Sequence, residues 1–169
     1  MDIQKKYSTR ILAGLSAGLL IALLVTSLNG RSSKPSLEVW HTGKLGAEFT
    51  SEKGTTDITN YLKYIELEDS LFKQLDQKVY AGTETGPEQM LNRYSDGSAA
   101  DPRGLKPNWN RSFELRGNGA GGVLLLHGMS DSPYSLRALG EALNQGGYHV
   151  IGLRLPGHGT APSGLKYVN

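Results

Sequence analysis

The sequence predicts an α/β protein built on a parallel βαβ unit behind an apolar N-terminal segment. Three observations lead there. Val123–Leu126 is a continuous apolar run, as expected of a strand covered on both faces of a parallel sheet. Leu136, Leu139 and Leu143 follow at helical spacing. Tyr148–Arg154 then returns to an extended apolar pattern, so strand, helix and strand fit within about 33 residues, the size of one right-handed βαβ unit.

Composition narrows the classes. The 169 residues fit one domain. Lys and Arg number 18 and Asp and Glu 16, a net charge of +2. Lys5, Lys6 and Arg10 against Asp2 account for that excess, leaving no basic face of the kind a nucleic-acid binder carries. The absence of cysteine excludes disulfides, thiolate metal sites and cysteine nucleophiles. His41, His127, His149 and His158 lack metal-ligand spacing with carboxylates, so neither a metal nor a cofactor is expected.

In chain order, residues 1–10 read as a basic cytoplasmic tail. Residues 11–28, from Ile11 to Leu28, are uncharged and close to the roughly 20 apolar residues a membrane-crossing helix needs. The expectation is a single-pass transmembrane anchor with its N-terminus in the cytoplasm and the rest exported. A cleaved signal peptide with secretion is the alternative, although Val25-Thr26-Ser27 makes a poor cleavage site. Gly14-Leu15-Ser16-Ala17-Gly18 matches the G-x-S-x-G of a hydrolase nucleophile elbow. Ser16, however, lies inside the apolar run with no strand before it.

Residues 29–110 read as a linker with a helical and loop extension. Leu37–Thr42 reads as extended, and a helix is expected over 57–79 with Asp57 as N-cap. The charged pair Glu68 and Asp69 interrupts its apolar stripe, and the helix is expected to serve packing alone. Residues 82–110 are rich in turn pairs and read as loop. Asn110-Arg111-Ser112 fits the glycosylation pattern. A short strand is expected over 112–115. Gly117–Gly122 satisfies G-x-G-x-x-G but precedes a strand instead of following one, so it reads as a turn and not as a dinucleotide site.

The βαβ unit carries the chemistry. His127-Gly128-Met129-Ser130-Asp131-Ser132-Pro133 ends the first strand, with Ser132 as N-cap and Pro133 at the first helical position. Gly146-Gly147 stops the helix. Leu155-Pro156-Gly157-His158-Gly159-Thr160 leaves the second strand at the carboxyl edge, where open α/β sheets bind ligands.

Together VLLLHG, SPYSLRALGEAL and GYHVIGLRLPGHG resemble the α/β-hydrolase superfamily, in its bacterial lysophospholipase-like and monoacylglycerol-lipase-like branch. The resemblance covers about 50 residues. It implies that 111–169 is the start of an α/β-hydrolase fold and that the activity is serine hydrolysis of carboxylic or lipid esters. It further implies that the Met129 backbone N–H contributes to an oxyanion hole, with His127 and Gly128 shaping that loop. His127 is expected to brace the loop by hydrogen bonding. His158 is the candidate for lining a substrate entrance, or for stabilising its own loop.

The family's nucleophile elbow lies one strand beyond LPGHG, so no catalytic triad is expected within these residues and the sequence reads as an N-terminal fragment. Ser130, Asp131 and His158 occur in triad order. Ser130 and Asp131 are adjacent, however, whereas a relay needs them on opposite sides of the imidazole. The competing expectation is a membrane-tethered, non-catalytic interaction module.

Overall fold

A computed structural model describes residues 2–29 and 35–168. The chain divides into two compact units, residues 1–37 and 38–169.

The first unit is helix α1, Asp2–Asn29. Among the described residues no helix is long and apolar enough to cross a membrane. The segment expected as a transmembrane anchor over 11–28 is helical, and its membrane span is not supported among the described residues. Arg31 and Lys34, which follow it in sequence, lie outside the described residues.

In the second unit the expected spacer is largely folded. Leu37–Thr42 is not extended throughout: α2, Val39–Thr42, is a single turn closed by Glu38 N–H donating to His41 Nδ1 at 3.1 Å. It brings Trp40 into a stack on Tyr94, with ring centroids 5.3 Å apart. Helix α3, Ser51–Thr56, starts where Thr50 accepts from the Lys53 N–H. Asp57 ends α3 and does not open the next helix. The cap is Asn60, whose side chain accepts from Lys63 N–H at 3.0 Å to begin α4, Tyr61–Lys78.

The α4 side chains Tyr64, Glu68, Leu71, Phe72 and Leu75 are buried. Their spacing is one helical stripe, and Glu68 belongs to it. Leu71, Phe72 and Leu75 form the main apolar core with Leu45, Ala47, Val79, Tyr80, Tyr94 and Ala161. The core therefore joins the extension to the loop after the last strand.

Residues 82–110 are connected by turns, as expected. Arg103 organises them, pairing with Asp101, Asp96 and Asp76 and lying 3.6 Å from the Tyr80 ring centroid. Asn110 is buried and accepts from Ser132 Oγ at 2.7 Å, which removes the glycosylation reading.

Three strands form one sheet in the order β1-β3-β2: β1 is Phe113–Leu115, β2 Gly122–Leu126 and β3 His149–Leu153. β2 and β3 are parallel, in register from Gly122↔His149 to Leu126↔Leu153, and β1 is antiparallel to β3. The crossover is a 3₁₀ turn over Pro133–Leu136 followed by α5, Arg137–Gln145. Ser132 makes no cap hydrogen bond, because its hydroxyl is committed to Asn110.

The register puts Phe113, Val123, Leu125, Val150 and Gly152 on one face. α5 packs on that face through Gly140, where an added Cβ would meet the Phe113 ring at 3.0 Å and Leu125 at 3.5 Å. The other face is open, with Leu124 59% and Leu126 54% exposed. The expectation that β2 is covered on both faces fails for that reason. Among the described residues β2 is also an edge strand.

Candidate functional site

The loops after β2 and β3 leave the same, carboxyl edge of the parallel pair. Each contains backbone that ordinary side chains avoid. Ser130 has φ 61°, a left-handed conformation uncommon outside glycine, at the tip of the first loop. Gly157 and Gly159 take φ 77° and 71° in the second. At Gly159 a side chain would meet Asn110 O at 2.6 Å. The 3.1 Å bond from His158 N–H to Leu155 O closes that turn.

His127 joins the two loops. It is 4% exposed, its Nε2 accepts from Leu155 N–H at 3.0 Å, and its Nδ1 lies 2.9 Å from Gly128 O. Nε2 must be unprotonated to accept, so Nδ1 carries the proton and donates to the carbonyl. Burial holds the imidazole below its usual value, opposed by the bond to Gly128, which keeps this neutral tautomer.

The bond to Gly128 O has a geometric result. The peptide between Gly128 and Met129 is planar and trans, so its N–H points opposite to its C=O. Fixing the carbonyl against His127 turns the Met129 N–H away from the imidazole. No group among the described residues accepts from that N–H. The Met129 side chain is 90% exposed.

A cavity of about 390 Å³ lies between the loops, lined by Ser130, Asp131 and Ser132 from the first and Gly157–Pro162 from the second. Arg93 and Tyr94 of the extension and Leu165 complete its wall. Thr160 lines it while 4% exposed, and its hydroxyl has no hydrogen-bond partner among the described residues. His158 is a lining residue, its Nδ1 2.9 Å from Pro156 O and its ring centroid 5.3 Å from that of His127.

Ser130, Asp131 and His158 thus share a cavity without forming a relay. Asp131 accepts from the Ser132 N–H at 2.7 Å. The neighbouring Ser135 hydroxyl, then that backbone bond, hold its carboxyl below the usual value. No hydrogen bond joins Ser130 to His158 among the described residues.

Sequence reading missed the support beneath the second loop. Arg154, 1% exposed, donates from Nε to Glu68 at 2.9 Å and from Nη2 to Glu48 at 2.9 Å, and both carboxylates are buried. Its Nη1 reaches the carbonyls of Leu155 at 3.3 Å and His158 at 3.0 Å. Tyr64 donates its hydroxyl to Arg154 O at 2.5 Å, and Arg154 N–H donates to Ser112 Oγ at 2.9 Å. The available signal was Glu68 lying inside the apolar stripe of α4, where a carboxylate needs a buried cation.

No family model matches the chain. A stretch of 43 residues is 54% identical to a thermostable monoacylglycerol lipase of Bacillus sp. (strain H-257). Over that stretch the chain is similar to a lipase. The match takes in 25% of this chain and 17% of the lipase's length, so the chain spans a small part of that relative. The similarity agrees with the resemblance carried by the motifs and extends no further than the matched residues.

Proposed function

We propose that this chain supplies the oxyanion-stabilising loop and one wall of the substrate cavity of a serine hydrolase acting on carboxylic esters, lipid esters among them. The observation that carries the reading is the Met129 N–H, which has no acceptor among the described residues, is turned from the imidazole by the His127–Gly128 bond, and directly precedes the Ser130–Ser132 wall of a cavity at the carboxyl edge of parallel strands. Attack on an ester carbonyl places negative charge on its oxygen. A donor already aimed at that oxygen stabilises the charge without reorganising, and loss of one such donor typically costs about 10²–10³ in rate. Gly128 leaves the approach clear of a side chain. His127 positions the peptide and His158 lines the entrance. The similarity to a monoacylglycerol lipase supports an acyl glycerol or related lipid ester as substrate.

The proposal assigns the nucleophile to no described residue. Fluorophosphonate labelling of the protein isolated from its source, with intact mass, tests the enzyme reading: a labelled serine is expected. A stable species of 18.3 kDa that resists labelling would sink it. The second reading, a non-catalytic interaction module, would then hold. It is favoured by the lack of any bonded Ser–His pair around the cavity among the described residues.

We further propose that α1 holds the chain at a membrane with residues 38–168 on the exported side, anchored or released by cleavage. Exposed Leu15, Leu19, Leu20, Ile21, Leu23 and Leu24 support this, since a helix apolar all round needs an apolar surround.

A further inference from the structure

An arginine at the end of a buried strand can be accommodated only if its charge and all of its donors are matched. Arg154 meets that demand with two glutamates from different parts of the extension, Glu48 before α3 and Glu68 on α4. Its remaining donor capacity goes to the carbonyls of Leu155 and His158, inside the loop that holds the candidate entrance residue. Ser112 completes the ring of bonds, donating from Oγ to Glu68 at 3.0 Å while accepting from Arg154 N–H. From Leu155 the path continues through its N–H to His127 Nε2, and from His127 Nδ1 to Gly128 O. Leu155 is held on both sides of its Cα: its C=O by the guanidinium, and its N–H by His127, in a peptide whose carbonyl, Arg154 O, accepts from Tyr64.

We infer that the extension acts as a brace for the oxyanion loop, and that Glu48 and Glu68 are positioning residues whose influence reaches the Met129 N–H through Arg154, Leu155 and His127. Neither glutamate touches the cavity. The role differs from stability alone because the fork of one guanidinium ties two carboxylates to two loop carbonyls in one geometry, which a lysine cannot reproduce. The inference rests on the reading of Met129 as an oxyanion donor, but its test is independent of catalysis.

The test uses the whole chain, ¹⁵N-labelled, and reads the His127 ring nitrogens and the hydrogen exchange of the Leu155 amide. In the native chain His127 is expected to be held as the Nδ1–H tautomer with Leu155 protected. Glu68→Leu and Arg154→Lys should shift His127 toward a tautomer mixture and speed Leu155 exchange by about a hundredfold. Glu68→Gln, which keeps the acceptor oxygen, should restore part of the native signal. Leu75→Ala is the control: it weakens the core away from this path and should leave the tautomer in place.

If Leu75→Ala moves His127 as far as Glu68→Leu does, or if Glu68→Gln and Arg154→Lys both leave it unmoved, the brace is overturned. Should Glu68→Leu fail to fold, the Gln and Lys variants carry the test. A responsive His127 in a protein that resists fluorophosphonate would keep the brace and remove the hydrolase reading.

Discussion

His127 has both ring nitrogens committed, one to each loop, and this makes it the residue whose replacement is most informative. His127→Ala leaves the half-buried Leu155 N–H unpaired and should cost about 1–3 kcal/mol, read by denaturant unfolding. The pH dependence has a definite sign. Because burial lowers the folded pKa from 6.5, the unfolded chain takes up its proton first as pH falls. The stability His127 contributes is therefore complete above about 6.5 and is lost as pH drops from there through the folded value. Unfolding curves on either side of that pH should show the slope, and His127→Asn should abolish its share; an unchanged slope would refute it. Thr160 gives the opposite case. Replacing its unpaired hydroxyl in Thr160→Val should leave stability unchanged or slightly raised. If that hydroxyl meets substrate, calorimetric binding of a short monoacylglycerol should weaken in the same variant. His127, Gly128 and His158 were legible because an apolar strand ending in His-Gly and a Pro-Gly-His-Gly turn are local patterns. Arg154 was not, since its partners lie 86 and 106 residues away and no local pattern pairs them.

At the scale of elements, β3 depends on Gly152. A Cβ there would lie 2.1 Å from the Phe113 ring, which fills the space on the α5 side of the sheet. Gly152→Ala should destabilise by about 1–3 kcal/mol through overpacking, and a small change in unfolding midpoint would mean that Phe113 can turn aside. The parallel pair and α5 were readable from periodicity because their apolar positions follow strand and helix spacing closely. Helix α4 was placed correctly in the chain, but its start moved from Asp57 to Asn60 because α3 claims Asp57 as its end. The apparent gap in its stripe came from treating charge as a sign of exposure. Glu68 is buried, and the residues it faces become visible only once β3 and β1 are set beside α4. Ser132 was likewise an acceptable cap by sequence and was drawn away by Asn110, a partner 22 residues earlier.

At the scale of the molecule, among the described residues the sheet leaves β2 with one unpaired edge and an apolar outer face. Leu124 and Leu126 are more than half exposed, so a second strand or a second copy has a ready template. Residues 38–169 should self-associate in light-scattering measurements, and Leu126→Lys should reduce that; monodisperse behaviour at high concentration would count against it. The open face was not legible, because a run of leucines reads as covered whether or not a cover exists. The buried ion cluster has a last consequence, in time. Glu48 and Arg154 are separated by 106 positions, and contacts that close such long loops form slowly, after local ones. During synthesis Glu48 and Glu68 emerge well before their cation, so the extension must wait, with two carboxylates hydrated, until β3 has been made. The arginine before Leu-Pro-Gly-His-Gly is therefore the last member of the cluster to be made, and its pairing closes the loop back to Glu48.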